Sequence, residues 1–184
     1  MRKLKLQMQV TLDGYITGLN GEMDWMCFDW DKEMSSYVGE LTTSIDTILL
    51  GRKLAEGFIP HWAAKPEYES QEDIAIMNNT PKVVFTKTME VSPWENTVLA
   101  TGDLTAEINA LKAKKGGDMI VYGGGSFVSS LIEAELIDEL HLFVNPTAIG
   151  TGISIFKGKQ AMRLKNAKPF ACGIVLMCYE PIGK

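Results

Sequence analysis

Residues 3–12 alternate without a break, Leu4, Leu6, Met8, Val10 and Leu12 against Lys3, Lys5, Gln7, Gln9 and Thr11. A period of two sends successive side chains to opposite faces of a β-strand. The segment predicts a first strand with one apolar and one polar face, and Asp13-Gly14 bends the chain after it. The polar face is either solvated or, if the strand is central, turned toward a cavity. Helical spacing appears next: Met34, Tyr37, Val38 and Leu41 predict a helix over 31–42. Leu104, Ile108 and Leu111 predict another, capped by Asp103. Further helices are expected from Arg52 toward Phe58, over 70–78 and over 126–134, with loops at 60–66 and 145–152.

Short apolar runs predict buried strands at 46–50, 82–86, 97–100, 119–122 and 139–144, and 162–179 reads as two strands joined near 171–173. Strands that alternate with helices early and pair as a hairpin late indicate an α/β domain, mostly parallel with an antiparallel edge.

Composition narrows the class. The chain has 184 residues, 46% of them hydrophobic, and no Pro/Gly/Ser linker divides it, so one domain over 1–184 is expected. Lys+Arg number 18 against Asp+Glu 23, a net charge of −5 that argues against nucleic acid as a partner. No apolar run reaches bilayer length and the N-terminal stretch lacks a signal-peptide core, so no membrane partner and a cytoplasmic location are expected. Cys27, Cys172 and Cys178 form no CxxC pair, and His61 and His141 are far apart. No metal site is expected, and buried free thiols are the better reading.

Candidate chemistry lies where strands end. Gly123, Gly124 and Gly125 follow an apolar run and precede Ser126-Phe127-Val128, which reads strand, glycine turn, helix start. A helix N-terminus carries unpaired N–H groups and partial positive charge, and glycines let an anion approach closely. A tight turn needing positive φ would use the same residues. Gly51-Arg52-Lys53 repeats the order with two cations at a helix start, a placement the macrodipole disfavours unless a phosphate binds there. Thr86-Lys87-Thr88 adds hydroxyls and a cation after a third strand. Ligands of open α/β sheets bind at such strand ends, and three together suit an extended ligand with several phosphates. The G-x-G-x-x-G and G-x-x-x-x-G-K-[ST] fingerprints are absent.

In this order the segments resemble the dihydrofolate reductase superfamily. Closer still is the reductase, C-terminal, domain of the bifunctional riboflavin-pathway deaminase–reductase. The resemblance rests on Val10-Thr11-Leu12-Asp13-Gly14-Tyr15-Ile16, Leu50-Gly51-Arg52-Lys53, Phe85-Thr86-Lys87-Thr88 and Tyr122-Gly123-Gly124-Gly125-Ser126. It extends to Glu135-Leu136-Ile137-Asp138-Glu139-Leu140 and Ile149-Gly150-Thr151-Gly152. It implies a dihydrofolate reductase-like three-layer sandwich, a mixed sheet of about eight strands with helices on both faces, NADPH as hydride donor, and a homodimer. Gly51, Arg52 and Lys53 would hold phosphate beside the adenosine, and Thr86 and Lys87 would meet its 2′-phosphate. Gly123, Gly124, Gly125 and Ser126 would cradle the pyrophosphate, and Thr11, Asp13 and Gly14 would lie near the nicotinamide.

The implied activity is hydride transfer to a C=N or C=O group of a small heterocyclic or sugar-linked substrate. Dihydrofolate and 5-amino-6-(5-phosphoribosylamino)uracil are examples of that kind. The deaminase zinc motif is absent. Gln9 and Thr11, on the polar face of the first strand, would line the substrate pocket, and Trp25, Phe28 and Trp30 would close it. Asp29 or Asp31 would supply a proton, unless Asp31 only caps its helix. Two other classes fit the same residues: a non-catalytic dimeric nucleotide-binding module, and a sugar-phosphate enzyme that uses the glycine turn for its substrate. If one dinucleotide binds, Gly51, Lys87 and Gly124 must converge in space.

Overall fold

In the computed structural model, which describes residues 1–182, the alternating segment is β1 (Leu4–Val10). It is followed by α1 (Lys32–Thr42), β2 (Ile45–Gly51), α2 (Arg52–Ala63), α3 (Gln71–Asn79), β3 (Lys82–Phe85) and β4 (Thr97–Ala100). Then come α4 (Leu104–Ala113), β5 (Asp118–Val121), α5 (Gly125–Glu133), β6 (Glu139–Val144), β7 (Met162–Pro169) and β8 (Val175–Pro181). The strands form one sheet in the order β4-β3-β2-β5-β1-β6-β8-β7. β4 through β6 pair in parallel, whereas β8 runs antiparallel to β6 and β7 antiparallel to β8. The C-termini of β4, β3, β2, β5, β1 and β6 therefore emerge along one edge, with β1 between β5 and β6.

Apolar alternation assigns the layers. Leu4, Leu6, Met8 and Val10 of β1 join Ile108 and Leu111 of α4 and Val128, Leu131 and Ile132 of α5 in one core. On the opposite face Ile48, Leu50, Val84 and Ile120 pack with Leu41 of α1 and Ala55 and Ile59 of α2. A third cluster joins Met34 of α1 to Phe143, Phe170, Ile174 and Leu176. Helices cover both faces, giving the expected three layers. The polar face of β1 is not simply hydrated: Lys5, Gln7 and Gln9 are half-buried.

α2 departs from expectation. Residues 60–63 were expected in a loop, yet the helix continues through Pro60 to Ala63. Proline lacks the N–H that would bond the carbonyl four residues back. Buried Ile59 and the Phe58–Trp62 contact, ring centroids 6.2 Å apart, keep the apolar stripe intact, and Ala64 N–H donates to the Pro60 carbonyl at 3.0 Å. Packing outweighs the one lost bond.

A buried polar row crosses the end of the sheet opposite those C-termini. Glu139 Oε1 accepts from Lys3 Nζ at 2.6 Å and Lys165 Nζ at 2.8 Å, and its Oε2 is 3.5 Å from His141 Nε2. His141 Nδ1 meets the Tyr37 hydroxyl at 3.0 Å. Burial pushes the Glu139 carboxyl upward, but the hydrogen bonds from Lys165 and Lys3 prevail and hold it at about 2. Its folded-state pKa is depressed, so its stabilisation is present above the ordinary glutamate pKa and lost as pH falls toward 2. Burial also lowers His141, which resists protonation in the folded chain, so stability falls further as pH drops below its ordinary range. Glu139→Gln should cost roughly 1.5–3 kcal/mol at neutral pH. Urea titrations repeated across the acid range should show the gap from the parent closing toward pH 2, roughly where Glu139 itself is protonated.

Candidate functional site

Among the described residues the five helices differ at their N-termini. Asp31, Ser70 and Asp103 cap α1, α3 and α4 with side-chain oxygens, and each of those helices carries an acidic residue in its first turn. α2 and α5 have glycine caps, Gly51 and Gly124, no side-chain cap bond and no acidic first-turn residue. Their first-turn N–H groups lack the usual side-chain acceptor. These two helices follow β2 and β5, which are neighbours in the sheet with Leu49 opposite Val121.

Close packing brings the two glycine caps together. A Cβ on Gly124 would stand 3.9 Å from the Gly51 Cα, and one on Gly51 only 2.9 Å from the Phe127 Cβ. Phe127 also stacks near Phe85 of β3, with ring centroids 4.9 Å apart. Gly123 and Gly124 have φ of +152° and +84°, a region side chains disfavour. The turn thus needs glycine for its backbone, and the absence of side chains lets two helix N-termini, each with partial positive charge, pack close together.

Gly51 lies opposite Phe85, and Phe85 opposite Ala100, so Lys87 belongs to the next strand end in the same row. Adjacent strands lie about 4.8 Å apart, which puts the ends of β3, β2 and β5 within reach of one extended ligand. Lys87 Nζ donates to the Thr101 carbonyl at 3.0 Å and to that of Gly102. Thr86 is buried, and its hydroxyl oxygen accepts from the Thr88 and Met89 N–H groups at 3.1 Å, which shapes the turn. Arg52 pairs with Glu56 one turn on at 2.6 Å, while Lys53 and Ser126 are exposed. A bound anion would compete with Glu56 for the Arg52 guanidinium.

The β1 end is braced. The Thr11 hydroxyl donates to Asp13 at 2.6 Å and accepts from the Tyr15 N–H at 2.9 Å. Asp13 also accepts from Ile149 and Gly150 N–H at 3.1 and 2.7 Å. Thr11, then the Gly150 and Ile149 amides, hold the Asp13 carboxyl below the usual range. Asp13 and Thr11 therefore join two loops, and Gly14 permits the bend at φ +84°. Gly125 faces this unit: a Cβ there would stand 2.8 Å from Ile16 Cδ1.

On the other side of the β1 end, Gln9 Oε1 accepts from Asn145 Nδ2 at 2.8 Å. Trp25 is buried and its Nε1 finds no partner among the described residues; the same holds for Gln7 Oε1. Phe28 and Trp30 are exposed, so they do not close a pocket in this state. Asp31 caps α1 through the Met34 N–H at 2.8 Å and accepts from Cys172 N–H at 3.1 Å. The Met34 bond chiefly lowers its pKa. A carboxylate held ionised in this way is a poor proton donor. Asp29 is exposed on the same segment.

A family model for the RibD C-terminal domain matches residues 2–176. The chain belongs to that family. The uncharacterized protein YyaP of Bacillus subtilis (strain 168) is 31% identical over 183 residues, covering 97% of this chain and 95% of the relative. Among solved structures, a Shewanella sp. PV-4 protein named for riboflavin biosynthesis superposes with a TM-score of 0.72 at 19% identity, over 98% of this chain and 99% of that one. The diaminohydroxyphosphoribosylaminopyrimidine deaminase/5-amino-6-(5-phosphoribosylamino)uracil reductase of Thermotoga maritima gives 0.69 at 18% identity. That match covers 98% of this chain but 56% of the Thermotoga protein. These structures share the RibD-type reductase fold.

Asn145 is the site residue that sequence patterns missed in this RibD-family chain. It is fully buried at the end of β6. Its Nδ2 reaches Gln9 Oε1 and the carbonyls of Phe143 and Val10 at 3.2 and 3.4 Å, and its Oδ1 accepts from Cys27 N–H at 2.9 Å. The available signal was slight, an asparagine between the apolar Leu142-Phe143-Val144 and Pro146, where a buried polar side chain must find internal partners.

Proposed function

We propose that the chain is an NADPH-dependent reductase that acts on a C=N or C=O group of a small heterocyclic or sugar-linked substrate. The observation that carries this reading is the pair of uncapped, acid-free helix N-termini meeting at Gly51 and Gly124. The family membership supports it.

The residues present fit a dinucleotide. Gly123, Gly124, Gly125 and Ser126 would take one phosphate on the N-terminus of α5, and Gly51, Arg52 and Lys53 another on that of α2. Lys87, on the next strand end, would meet an adenosine 2′-phosphate, with Thr86 shaping its turn. When bound, the reduced nicotinamide supplies a hydride. The protein's share is placement: Asp13 and Thr11 brace the loop beside the β1 end, and Gln9, whose Oε1 is held by Asn145, would offer its amide N–H groups to the substrate. Asp29, exposed on the segment that carries Trp25, would be the candidate proton donor.

Calorimetry with the two nucleotides tests the assignment. NADPH should bind at least about tenfold more tightly than NADH, or roughly 1.4 kcal/mol, and Lys87→Ala or Arg52→Ala should shrink the gap. Equal affinities would reject the 2′-phosphate role. Incubation with NADPH and a panel of pterins, aminopyrimidine ribosides and imines tests turnover. Sustained, enzyme-dependent loss of reduced-nicotinamide absorbance is expected; binding without loss on every acceptor would favour a non-catalytic module.

A further inference from the structure

Two of the three cysteines, far apart in sequence, meet at one point of the fold. Cys27 Sγ lies 4.0 Å from the carbonyl oxygen of Cys172, and Cys172 Sγ lies 3.9 Å from Met34 Sδ. Both residues pack against the same apolar cluster of Met34, Phe143, Phe170, Ile174 and Leu176, and both remain partly exposed. Cys178 differs: it is buried in β8, with its sulfur 3.9 Å from His141 Nε2.

The backbone at each cysteine is held by a different side chain. Cys172 N–H donates to the Asp31 carboxylate at 3.1 Å, and Cys27 N–H donates to Asn145. The side chains sit on irregular segments, Cys27 before α1 and Cys172 in the β7–β8 turn beside Gly173 at φ +91°. Such segments absorb the small adjustments that disulfide geometry demands, and one χ1 rotation re-aims each sulfur.

We propose that Cys27 and Cys172 form a redox-active dithiol that hydroperoxides oxidise to an intramolecular disulfide. One thiolate attacks the peroxide O–O bond, becomes a sulfenic acid and releases the alcohol, or water when the oxidant is hydrogen peroxide. The second thiol attacks that sulfur and expels water. Two electrons leave the sulfur pair and reduce the peroxide bond, and the thiol protons end in the released hydroxyl products. A low-molecular-weight thiol or a dithiol reductant reverses the bridge by exchange.

The bridge joins the segment carrying Trp25 and Asp29 to the β7–β8 turn. Its bearing on catalysis rests on the reductase reading above; the thiol chemistry does not, and its test needs no nucleotide. The folded protein is treated with hydrogen peroxide, quenched with N-ethylmaleimide under denaturing conditions, and weighed whole and as peptides. The expected product has one maleimide adduct in place of three, has lost two hydrogens, and yields a peptide linking Cys27 to Cys172. Cys178→Ser should still form the link, and Cys27→Ser and Cys172→Ser should not. Three adducts after treatment, or a link that runs through Cys178 or between two chains, would overturn the proposal. The peptide map of the parent protein decides the matter even if a serine variant fails to fold.

Discussion

Ser126→Asp should make the protein slightly more stable and at least about a hundredfold weaker for NADPH, roughly 2.7 kcal/mol. The two effects have opposite sign because they share a cause. Ser126 is exposed in the first turn of α5, a helix with no acidic residue there and no side-chain cap. A carboxylate at that place interacts favourably with the helix dipole, by about 0.3–1 kcal/mol. The same carboxylate would stand where the pyrophosphate is proposed to sit. Two unit charges about 4 Å apart near a protein surface repel by up to about 4 kcal/mol, enough for the stated loss. Thermal unfolding and calorimetry on one preparation measure both. A variant that binds NADPH normally removes the pyrophosphate from this turn, whatever its melting temperature.

The absence of acids from these two helix starts is the common thread of the site. α1, α3 and α4 follow the ordinary rule, with Asp31, Ser70 and Asp103 as caps and Glu33, Glu72, Asp73 and Glu107 in first turns. The departures are confined to α2 and α5, the pair whose caps touch. Local preference is set aside where an incoming anion would supply the missing acceptor. Arg52 carries the same logic: its present partner, Glu56, is exposed and on the same helix, so exchanging it for a phosphate costs little.

Much of this was legible in the sequence because it depends on short-range pattern. The alternation defined β1 over Leu4–Val10 and its apolar face but not its end, since past Val10 Thr11 is buried and Leu12 exposed, and strand-glycine-helix order marked Gly51 and Gly124. What escaped depends on packing, on local hydrogen bonds that mimic an open site, or on contacts distant in the chain. Pro60 signalled a helix end, yet Ile59 and the Phe58–Trp62 contact carry α2 past it. Asp31 and Thr86 looked like chemistry, and their oxygens are engaged in a cap and a turn. A side-chain oxygen used locally has the same sequence signature as one offered to a ligand. Asn145 was invisible for the converse reason: its partners Gln9 and Cys27 lie more than a hundred positions away.

Asn145→Asp should destabilise the fold by about 3–5 kcal/mol near neutral pH, although it changes almost no volume. The new carboxylate can still accept the Cys27 N–H, but its second oxygen would face three acceptors, Gln9 Oε1 and the carbonyls of Val10 and Phe143. Val10 keeps the bond from the residue's own backbone N–H at 2.8 Å, while Gln9 Oε1 loses its donor. A fully buried charge opposed by lone pairs has a raised pKa, so the folded variant binds a proton more readily than the unfolded one. The deficit relative to the parent should therefore shrink as pH falls, since the protonated acid regains one donor. Paired urea titrations at neutral and mildly acidic pH measure this difference. Faster hydrogen exchange at the Cys27 amide in the variant would trace the loosening to the segment that carries Trp25 and Asp29. A deficit that stays constant with pH would show that the side-chain amide is not the donor to these oxygens. In that event the orientation of Gln9 on the proposed substrate side would have to come from another group.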